Sequence, residues 1–231
     1  MANLPEQTGM NLIIAGGTGF VGSEVVRQAI ADTRIKHAFV LTRKPLPDDI
    51  PKDDKVTVIL HDDFSTYPPS LIEKLTDAEA CVWSIGGRAT QFPDVETARR
   101  VSVDFTIAAA KAFLDNLAPR LPDGRKFRFL FCSGKFAEWD DKKKLSFMSD
   151  TRHIKGQVEK GLCELADANP DKFEVFIVRP GGIASKGGRL KATSANLVGF
   201  ITVDHLAKDM LEIVVNGHSQ RIVESEVLIK M

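Results

Sequence analysis

Short apolar runs alternate along this chain with longer segments in which apolar residues recur every three or four positions. The short runs are rich in β-branched residues, which is typical of strands buried on both faces of a parallel sheet. The longer segments have the spacing of amphipathic helices. The predicted strands are residues 12–15, 38–42, 56–60, 80–84, 127–132, 173–178 and 223–229.

Predicted helices lie in five of the six intervals between these strands, and the remaining interval holds the polar, proline-rich loop 45–54. The helices cover residues 21–30, 70–76, 94–113, 151–169 and 201–215. This alternation predicts an α/β fold, a single doubly wound parallel sheet of the Rossmann type with helices on both faces. A ligand is expected at the carboxyl ends of the strands.

No repeat or linker divides the chain, so residues 1–231 are predicted to form a single nucleotide-binding domain. Residues 135–150 are charged and lack periodicity, which favours a solvated loop. Residues 184–200 are rich in Gly, Ser, Lys and Thr. They could form a lid over a substrate or an ordinary surface loop.

The clearest local motif is a glycine-rich turn between the first strand and the first helix. Glycine permits a tight turn, lets a pyrophosphate approach the backbone and brings the helix close to the strand. The N–H groups that open the helix then face the anion. A plain glycine turn is the alternative. The residues predicted to bind the cofactor here are Gly16, Gly17, Thr18, Gly19, Phe20, Val21 and Gly22.

The second strand ends in Arg43 and Lys44, with no acidic residue at the junction. In such folds an acid there binds the 2′-hydroxyl of NAD, whereas an arginine accommodates the 2′-phosphate of NADP. We therefore predict NADP as the cofactor, with NADPH preferred over NADH. Arg43 is the main contact and Lys44 assists it. The alternative is a solvated basic turn.

Two further strand ends are predicted to meet the cofactor. Asp62 and Asp63 follow the third strand, where an acid can accept a hydrogen bond from the adenine amino group or simply cap the turn. Ser84, Ile85 and Gly86 follow the fourth strand, where small residues let the backbone pass beside the ribose and nicotinamide.

The charge balance, the length of the apolar runs and the cysteine spacing limit the partners and sites that this chain is expected to have. The chain has 31 basic and 31 acidic residues, so its net charge favours neither nucleic acid nor a membrane surface as partner. No apolar run reaches membrane-spanning length, and residues 1–9 lack the features of a signal peptide, so a cytoplasmic location is expected. Three widely spaced cysteines, Cys81, Cys132 and Cys163, are expected to be buried free thiols, and no metal site is predicted.

Taken in order, the motifs resemble those of the atypical short-chain dehydrogenase/reductases, in particular the small members that are nucleoside-diphosphate-sugar-epimerase-like or related to the Tat-interacting protein of that fold. The resemblance covers nearly the whole chain. Besides the glycine turn it rests on segments 41–44, 103–104, 133–134, 155–159, 179–182 and 203–207.

The resemblance implies a catalytic site. In that family a serine after the fifth strand polarises the substrate carbonyl, a tyrosine transfers the proton, and a lysine four residues later lowers the tyrosine pKa and holds the nicotinamide ribose. Ser133 and Lys155 occupy the serine and lysine places, and Thr151 occupies the tyrosine place. The loop after the sixth strand is implied to contact the cofactor through Pro180, Gly181, Gly182 and Ile183.

The chain's one tyrosine, Tyr67, lies far away in sequence, and an aliphatic hydroxyl is a much poorer proton donor than a phenol. Two functions are therefore weighed, with a non-redox enzyme that uses the crevice without hydride transfer as a third possibility. The first is an NADP(H)-dependent oxidoreductase or isomerase that acts on a small carbonyl or hydroxyl metabolite. The second is a non-catalytic NADP(H)-binding redox sensor. By analogy with the fold, the two long helices could also form a homodimer.

Overall fold

The computed structural model describes residues 9–122, 124–187 and 199–231. Its main sheet has seven strands in the order β3-β2-β1-β4-β5-β6-β9, and every neighbouring pair is parallel. The strands of the described residues are β1 Met10–Ala15, β2 Ile35–Thr42, β3 Val56–Leu60, β4 Ala80–Trp83, β5 Phe127–Cys132, β6 Phe173–Arg179, β7 Ile183–Ala184, β8 Ile201–Thr202 and β9 Ile222–Glu224.

Helices connect the strands as the alternating pattern predicts. They are α1 Phe20–Ala31, α2 Pro69–Lys74, α3 Val95–Arg99, α4 Phe105–Asn116, α5 Ser149–Ala168, α6 Val203–Asn216 and α7 Ser225–Leu228. Short 3₁₀ turns cover Ala89–Gln91 and Ala118–Arg120. The fold is therefore the predicted doubly wound α/β domain with a Rossmann sheet.

The sheet is buried on both faces, because side chains of each central strand alternate between two apolar clusters. In β1, Ile13 belongs to the cluster that holds α4 and α5, and Ile14 belongs to the cluster that holds α1 and α6. Both side chains are fully buried. Unbroken apolar runs in the sequence are the direct result of this two-sided burial.

The sequence prediction fails at two helix and strand boundaries. The single helix predicted over residues 94–113 is interrupted, because Arg100–Asp104 forms a π-helical turn between α3 and α4. The strand predicted over 223–229 stops at Glu224, and the remainder turns into the short helix α7. An apolar run of this length does not by itself distinguish a strand from a buried helical turn.

The predicted lid falls largely outside the described residues, which omit 188–198. Its two ends are held together, because β7 and β8 pair in parallel through Ile183 with Ile201 and Ala184 with Thr202.

Two other predictions can be compared with the described part of the chain. Cys81, Cys132 and Cys163 are free and buried, as predicted. None of the helices in the described ranges is both long and apolar enough to cross a membrane.

Candidate functional site

A cavity of about 210 Å³ opens at the carboxyl ends of β1, β2 and β4. Since β1 lies between β2 and β4, the strand order reverses direction at this point, which is where open α/β sheets bind their ligands. The cavity is lined by Gly16, Thr18, Gly19, Leu41, Thr42, Arg43, Phe64, Ser84, Ile85, Gly86, Phe92, Val101 and Phe105.

The glycine turn forms one wall of the cavity, and its geometry requires glycine. Gly16 has a φ of 88°, a left-handed conformation, and its carbonyl oxygen accepts a hydrogen bond from the N–H of Gly19 at 2.9 Å. A Cβ on Gly22 would lie 2.1 Å from that same oxygen. Helix α1 thus begins directly against the end of β1, and its first N–H groups are available to an anion.

Arg43 reaches the cavity from the end of β2. The buried hydroxyl of Thr42 donates to the carbonyl oxygen of Lys44 at 2.8 Å and fixes this turn. Within the described ranges, the side chain of Arg43 is exposed and forms no ion pair or hydrogen bond. A free guanidinium at the cavity wall is therefore available to a phosphate. Lys44 is exposed but does not line the cavity.

The two aspartates after β3 are exposed and lie outside the cavity lining, which is completed here by Phe64. The carboxylate of Asp63 accepts hydrogen bonds from the backbone N–H and hydroxyl of Ser65, at 3.0 and 2.5 Å. These bonds lower the pKa of Asp63. In this structure Asp63 therefore caps its own turn. A contact of Asp62 or Asp63 with adenine stays a prediction.

The other residues predicted to bind the cofactor do not line the cavity. Gly17 packs so closely on β2 that a Cβ there would lie 2.6 Å from Val40 Cγ1. Phe20 and Val21 begin helix α1, and Phe20 is largely exposed. The loop after β6 comprises Pro180, Gly181, Gly182 and Ile183, and it is covered in part by the ring of Phe200, which occupies the space beside Gly182.

Lys155 adjoins the cavity beside Gly86. A Cβ placed on Gly86 would lie 3.6 Å from Lys155 Nζ and 3.3 Å from Ser102 Oγ. The ammonium donates to the carbonyl oxygen of Cys132 at 3.1 Å and lies 4.8 Å from the ring centre of Phe131. Burial lowers the pKa of Lys155. The structure thus places this lysine next to Gly86, which lines the cavity.

Ser133 has a different partner from the one that the resemblance implies. Its hydroxyl donates to Oε1 of Glu159 at 2.6 Å. A serine has a single O–H, so the hydrogen that would polarise a substrate carbonyl is already donated to a carboxylate. The Ser133 oxygen can only accept in this arrangement.

Glu159 is itself fully buried and is bound by two further side chains. Arg179 donates to both of its carboxylate oxygens, at 3.0 and 2.5 Å, and the indole N–H of Trp139 donates at 2.7 Å. Arg179 also pairs with Glu224 at 2.7 Å. The charge of Glu159 is therefore compensated within the protein, and its lone pairs are occupied.

Thr151 is also engaged. Its Oγ1 accepts a hydrogen bond from the backbone N–H of Ala89 at 2.9 Å, which ties the 3₁₀ turn to the start of α5. The ring of Tyr67 packs instead on Phe113, 5.4 Å between ring centres. Burial raises the pKa of Tyr67 strongly, and Tyr67 does not line the cavity.

Sequence reasoning missed Glu159 and its partners. A glutamate between the core positions Val158 and Leu162 of an amphipathic helix is a signal of a buried charge, although helical spacing alone would place Glu159 beside Lys155, four residues earlier. The structure pairs it with Arg179 instead.

Residues 135–148 form an exposed or half-buried loop, as predicted, but the first half of this loop is also anchored to helix α5. The backbone N–H of Glu138 donates to the carbonyl oxygen of Arg152 at 2.9 Å, and Trp139 then reaches Glu159. A loop that is polar in composition is thus anchored to helix α5.

Comparison with known proteins identifies the fold. No family model matches the chain. A curated protein, leucinostatins biosynthesis cluster protein T of Purpureocillium lilacinum, is 32% identical over 126 residues, which are 52% of this chain. The chain therefore spans less than half of that relative, 42% of its length.

Several solved structures superpose on nearly the whole chain. Gre2 from Candida albicans, solved with NADPH, is 18% identical and has a TM-score of 0.68, covering 96% of this chain and 81% of its own. WbmF from Bordetella bronchiseptica, solved with NAD+, is 13% identical with a TM-score of 0.69, covering 95% and 73%. The oxidoreductase ylbE from Lactococcus lactis is 17% identical with a TM-score of 0.65 and covers 96% of both chains. At these identities the likeness shows the fold, and the resemblance predicted from the sequence is confirmed at that level.

Proposed function

We propose that this protein is an NADP(H)-dependent oxidoreductase or isomerase that acts on a small carbonyl or hydroxyl metabolite. The observation that carries the proposal is the cavity at the reversal of strand order, where the glycine turn, Arg43 and the segment 84–86 meet beside Lys155. Structures of this fold solved with NAD+ and with NADPH support a nicotinamide dinucleotide as the ligand.

The residues present fit such a cofactor. A Cβ on Gly22 would clash with Gly16, so glycine there lets helix α1 begin directly against β1, where its first N–H groups would face a pyrophosphate. Arg43 would hold the 2′-phosphate, since a guanidinium binds phosphate through paired N–H groups. Ser84, Ile85 and Gly86 would pass beside the ribose and nicotinamide, and Lys155 would hold the nicotinamide ribose.

The bound cofactor would supply hydride chemistry, and the chain's own residues must orient the substrate and manage the proton. Ser133 can accept a hydrogen bond from a substrate hydroxyl but donates to Glu159. Thr151 accepts from Ala89 and retains its own O–H. Phe92, Val101 and Phe105 exclude water from the cavity wall.

A redox sensor is the second candidate. The observation that favours it is the pairing of Ser133 with Glu159 together with a threonine at the tyrosine place, because both changes remove proton donors from the site while the glycine turn and Arg43 are intact. A sensor needs only differential binding of the two redox states. Cytoplasmic location and a homodimer stay predictions.

Isothermal calorimetry with NADPH, NADP⁺ and NADH under one set of conditions tests the proposal. We expect NADPH and NADP⁺ to bind within a few-fold of each other and NADH to bind much more weakly. A strong preference for one redox state would favour the sensor. Absence of binding by all three dinucleotides would overturn both candidates.

A further inference from the structure

The site lacks a hydroxyl as acidic as a phenol to act as the proton donor. The O–H of Ser133 is donated to a buried carboxylate, and Thr151 is an aliphatic alcohol held against the backbone of Ala89. Tyr67 does not line the cavity. Among the described residues beside Gly86, the remaining group that carries a transferable proton at moderate pH is the ammonium of Lys155.

We propose that Lys155 is itself the general acid and base of this site and exchanges the proton with the substrate oxygen. This inference rests on the proposed oxidoreductase function and gives its lysine a role beyond holding the ribose. It assigns proton transfer to Nζ, which uses only one of its three hydrogens in the bond to Cys132. The other two are available toward Gly86.

The surroundings of Lys155 are those of an amine that can lose its proton. Its ammonium lies over the face of Phe131, 4.8 Å from the ring centre, and donates to a neutral carbonyl, and both contacts stabilise the charged form less than a carboxylate would. The described residues provide it with no salt bridge. The pKa of Lys155 is lowered because burial removes water from the ammonium and so disfavours its charged form.

Two titratable groups face Lys155, and neither restores an ordinary ion pair. Cys132 lies at the end of β5, and burial raises the pKa of its thiol, so it stays neutral. Glu159, one turn further along α5, favours the charged lysine, but its carboxylate is bound by Arg179, Ser133 and Trp139. Arg179, and not Lys155, is therefore the counter-ion of Glu159.

A polar neighbour can assist the transfer. Ser102 is buried, and its Oγ has no hydrogen-bond partner within the part of the chain described. It projects from the π-helical turn toward the same side of Gly86 as Lys155. A hydroxyl in this position can accept from the ammonium or donate to the free amine.

The step balances with the cofactor class already named. As the carbonyl carbon gains the hydride of the reduced nicotinamide, the C=O π bond breaks and its oxygen takes a proton from Nζ. The products are an alcohol, the oxidised cofactor and a neutral lysine amine. Water then returns a proton to the amine, and the reverse sequence oxidises an alcohol.

The first test needs no cofactor. In protein labelled with ¹³C,¹⁵N-lysine, NMR follows each side chain with pH, and the Lys155→Arg variant identifies the signal of Lys155. We expect Lys155 to titrate at a lower pH than the exposed Lys160 of the same helix, because burial disfavours the ammonium. Titration of Lys155 together with Lys160 would overturn the inference, whatever the protein does with NADPH.

The second test separates binding from proton transfer. Lys155→Arg keeps a cation at this position but cannot release a proton, and Lys160→Arg is the matched control. With NADPH at a saturating concentration for each variant and 4-nitrobenzaldehyde as the probe, we expect Lys155→Arg to lose reduction by roughly a hundredfold or more and Lys160→Arg to keep it. Retained reduction would refute the role of Lys155. If the wild-type protein does not bind NADPH, the proposed function is overturned. The NMR titration would still decide whether Lys155 loses its proton at an unusually low pH.

Discussion

The carbonyl oxygen of Glu138 lies where a side chain at position 156 would begin. A Cβ on Gly156 would be 1.8 Å from that oxygen, so only glycine lets the loop lie against helix α5. The close approach delivers Trp139, the next residue, to the buried carboxylate of Glu159. One glycine in the middle of a helix thus couples a surface loop to the polar network behind the site.

Substitution of Gly156 by alanine is expected to push the loop away from α5. Overpacking of this kind costs about 1–3 kcal/mol of unfolding free energy. We also expect a change in the emission of Trp139, since its indole N–H would lose Glu159. Gly134→Ala is the control, because a Cβ there has nothing within 4 Å. Equal stability of the two variants in denaturant unfolding would contradict the close contact.

Ser133→Ala tests the assignment of the serine hydroxyl to Glu159. Without the Ser133 hydroxyl, Oε1 of the buried Glu159 loses one of its hydrogen bonds. We therefore expect the free energy of unfolding to fall by about 1–3 kcal/mol. Affinity for NADPH should change less than a few-fold. The exposed Ser146→Ala provides the control for urea unfolding. If the variant were as stable as wild type but turned over substrate far more slowly, Ser133 would instead be the residue that polarises the substrate carbonyl.

Glu159→Gln is expected to be more costly. It removes the charge that compensates Arg179, whose other carboxylate partner, Glu224, is half-exposed. Breaking one side of a buried ion pair costs about 3–5 kcal/mol, because the remaining charge is left in a medium of low polarity. Thermal and urea unfolding beside the exposed variant Glu164→Gln would measure this. A loss no larger than that of the control would show that Arg179 does not depend on Glu159.

Arg43→Ala is expected to weaken NADPH binding and leave NADH binding unchanged. A lost charge-assisted contact to the 2′-phosphate corresponds to about 1.5–3 kcal/mol, roughly a tenfold to hundredfold weaker NADPH affinity. Calorimetry with both cofactors measures the difference, and Lys52→Ala in the neighbouring polar loop is the control. Parallel weakening of NADPH and NADH would mean that Arg43 acts on the turn and not on the phosphate.

The buried carboxyl group of Asp209 is expected to make the free energy of unfolding fall as the pH rises. Burial raises its pKa from the usual 3.8 to about 6, opposed by His205, whose Nε2 lies 3.6 Å from the carboxylate. Because the folded state holds this proton more tightly than the unfolded state, the contribution to stability is present below the unfolded pKa and is lost as the pH rises through about 6.

Asp209→Asn should therefore be more stable than wild type at pH 8, by about 1–3 kcal/mol, since a buried charge is removed. The difference should shrink as the pH is lowered to about 5. Urea unfolding across this range measures it, with the exposed Asp115→Asn as the control. A variant less stable than wild type at high pH would show that the carboxylate is stabilised by His205 and not penalised by burial.

Much of the fold was predictable because its signals are local. The apolar runs and helical spacing identified the sheet strands and the helices that flank them, apart from the interruption at Arg100–Asp104 and the turn after Glu224. At both places the residues would have the same composition whether the predicted helix or strand continued or was interrupted. Only the packing of neighbouring elements distinguishes the two outcomes.

The sequence by itself determined the class of fold, the glycine turn, the basic end of β2 and the threonine at position 151, because each is a property of adjacent residues. The tertiary structure alone decided the partners of Ser133, Glu159 and Lys155. Ser133 is 26 residues from Glu159, and Arg179 is a further 20 away. Hydrogen bonds between residues so distant in sequence depend on how β5, β6 and α5 pack, and burial of Lys155 follows from the same packing.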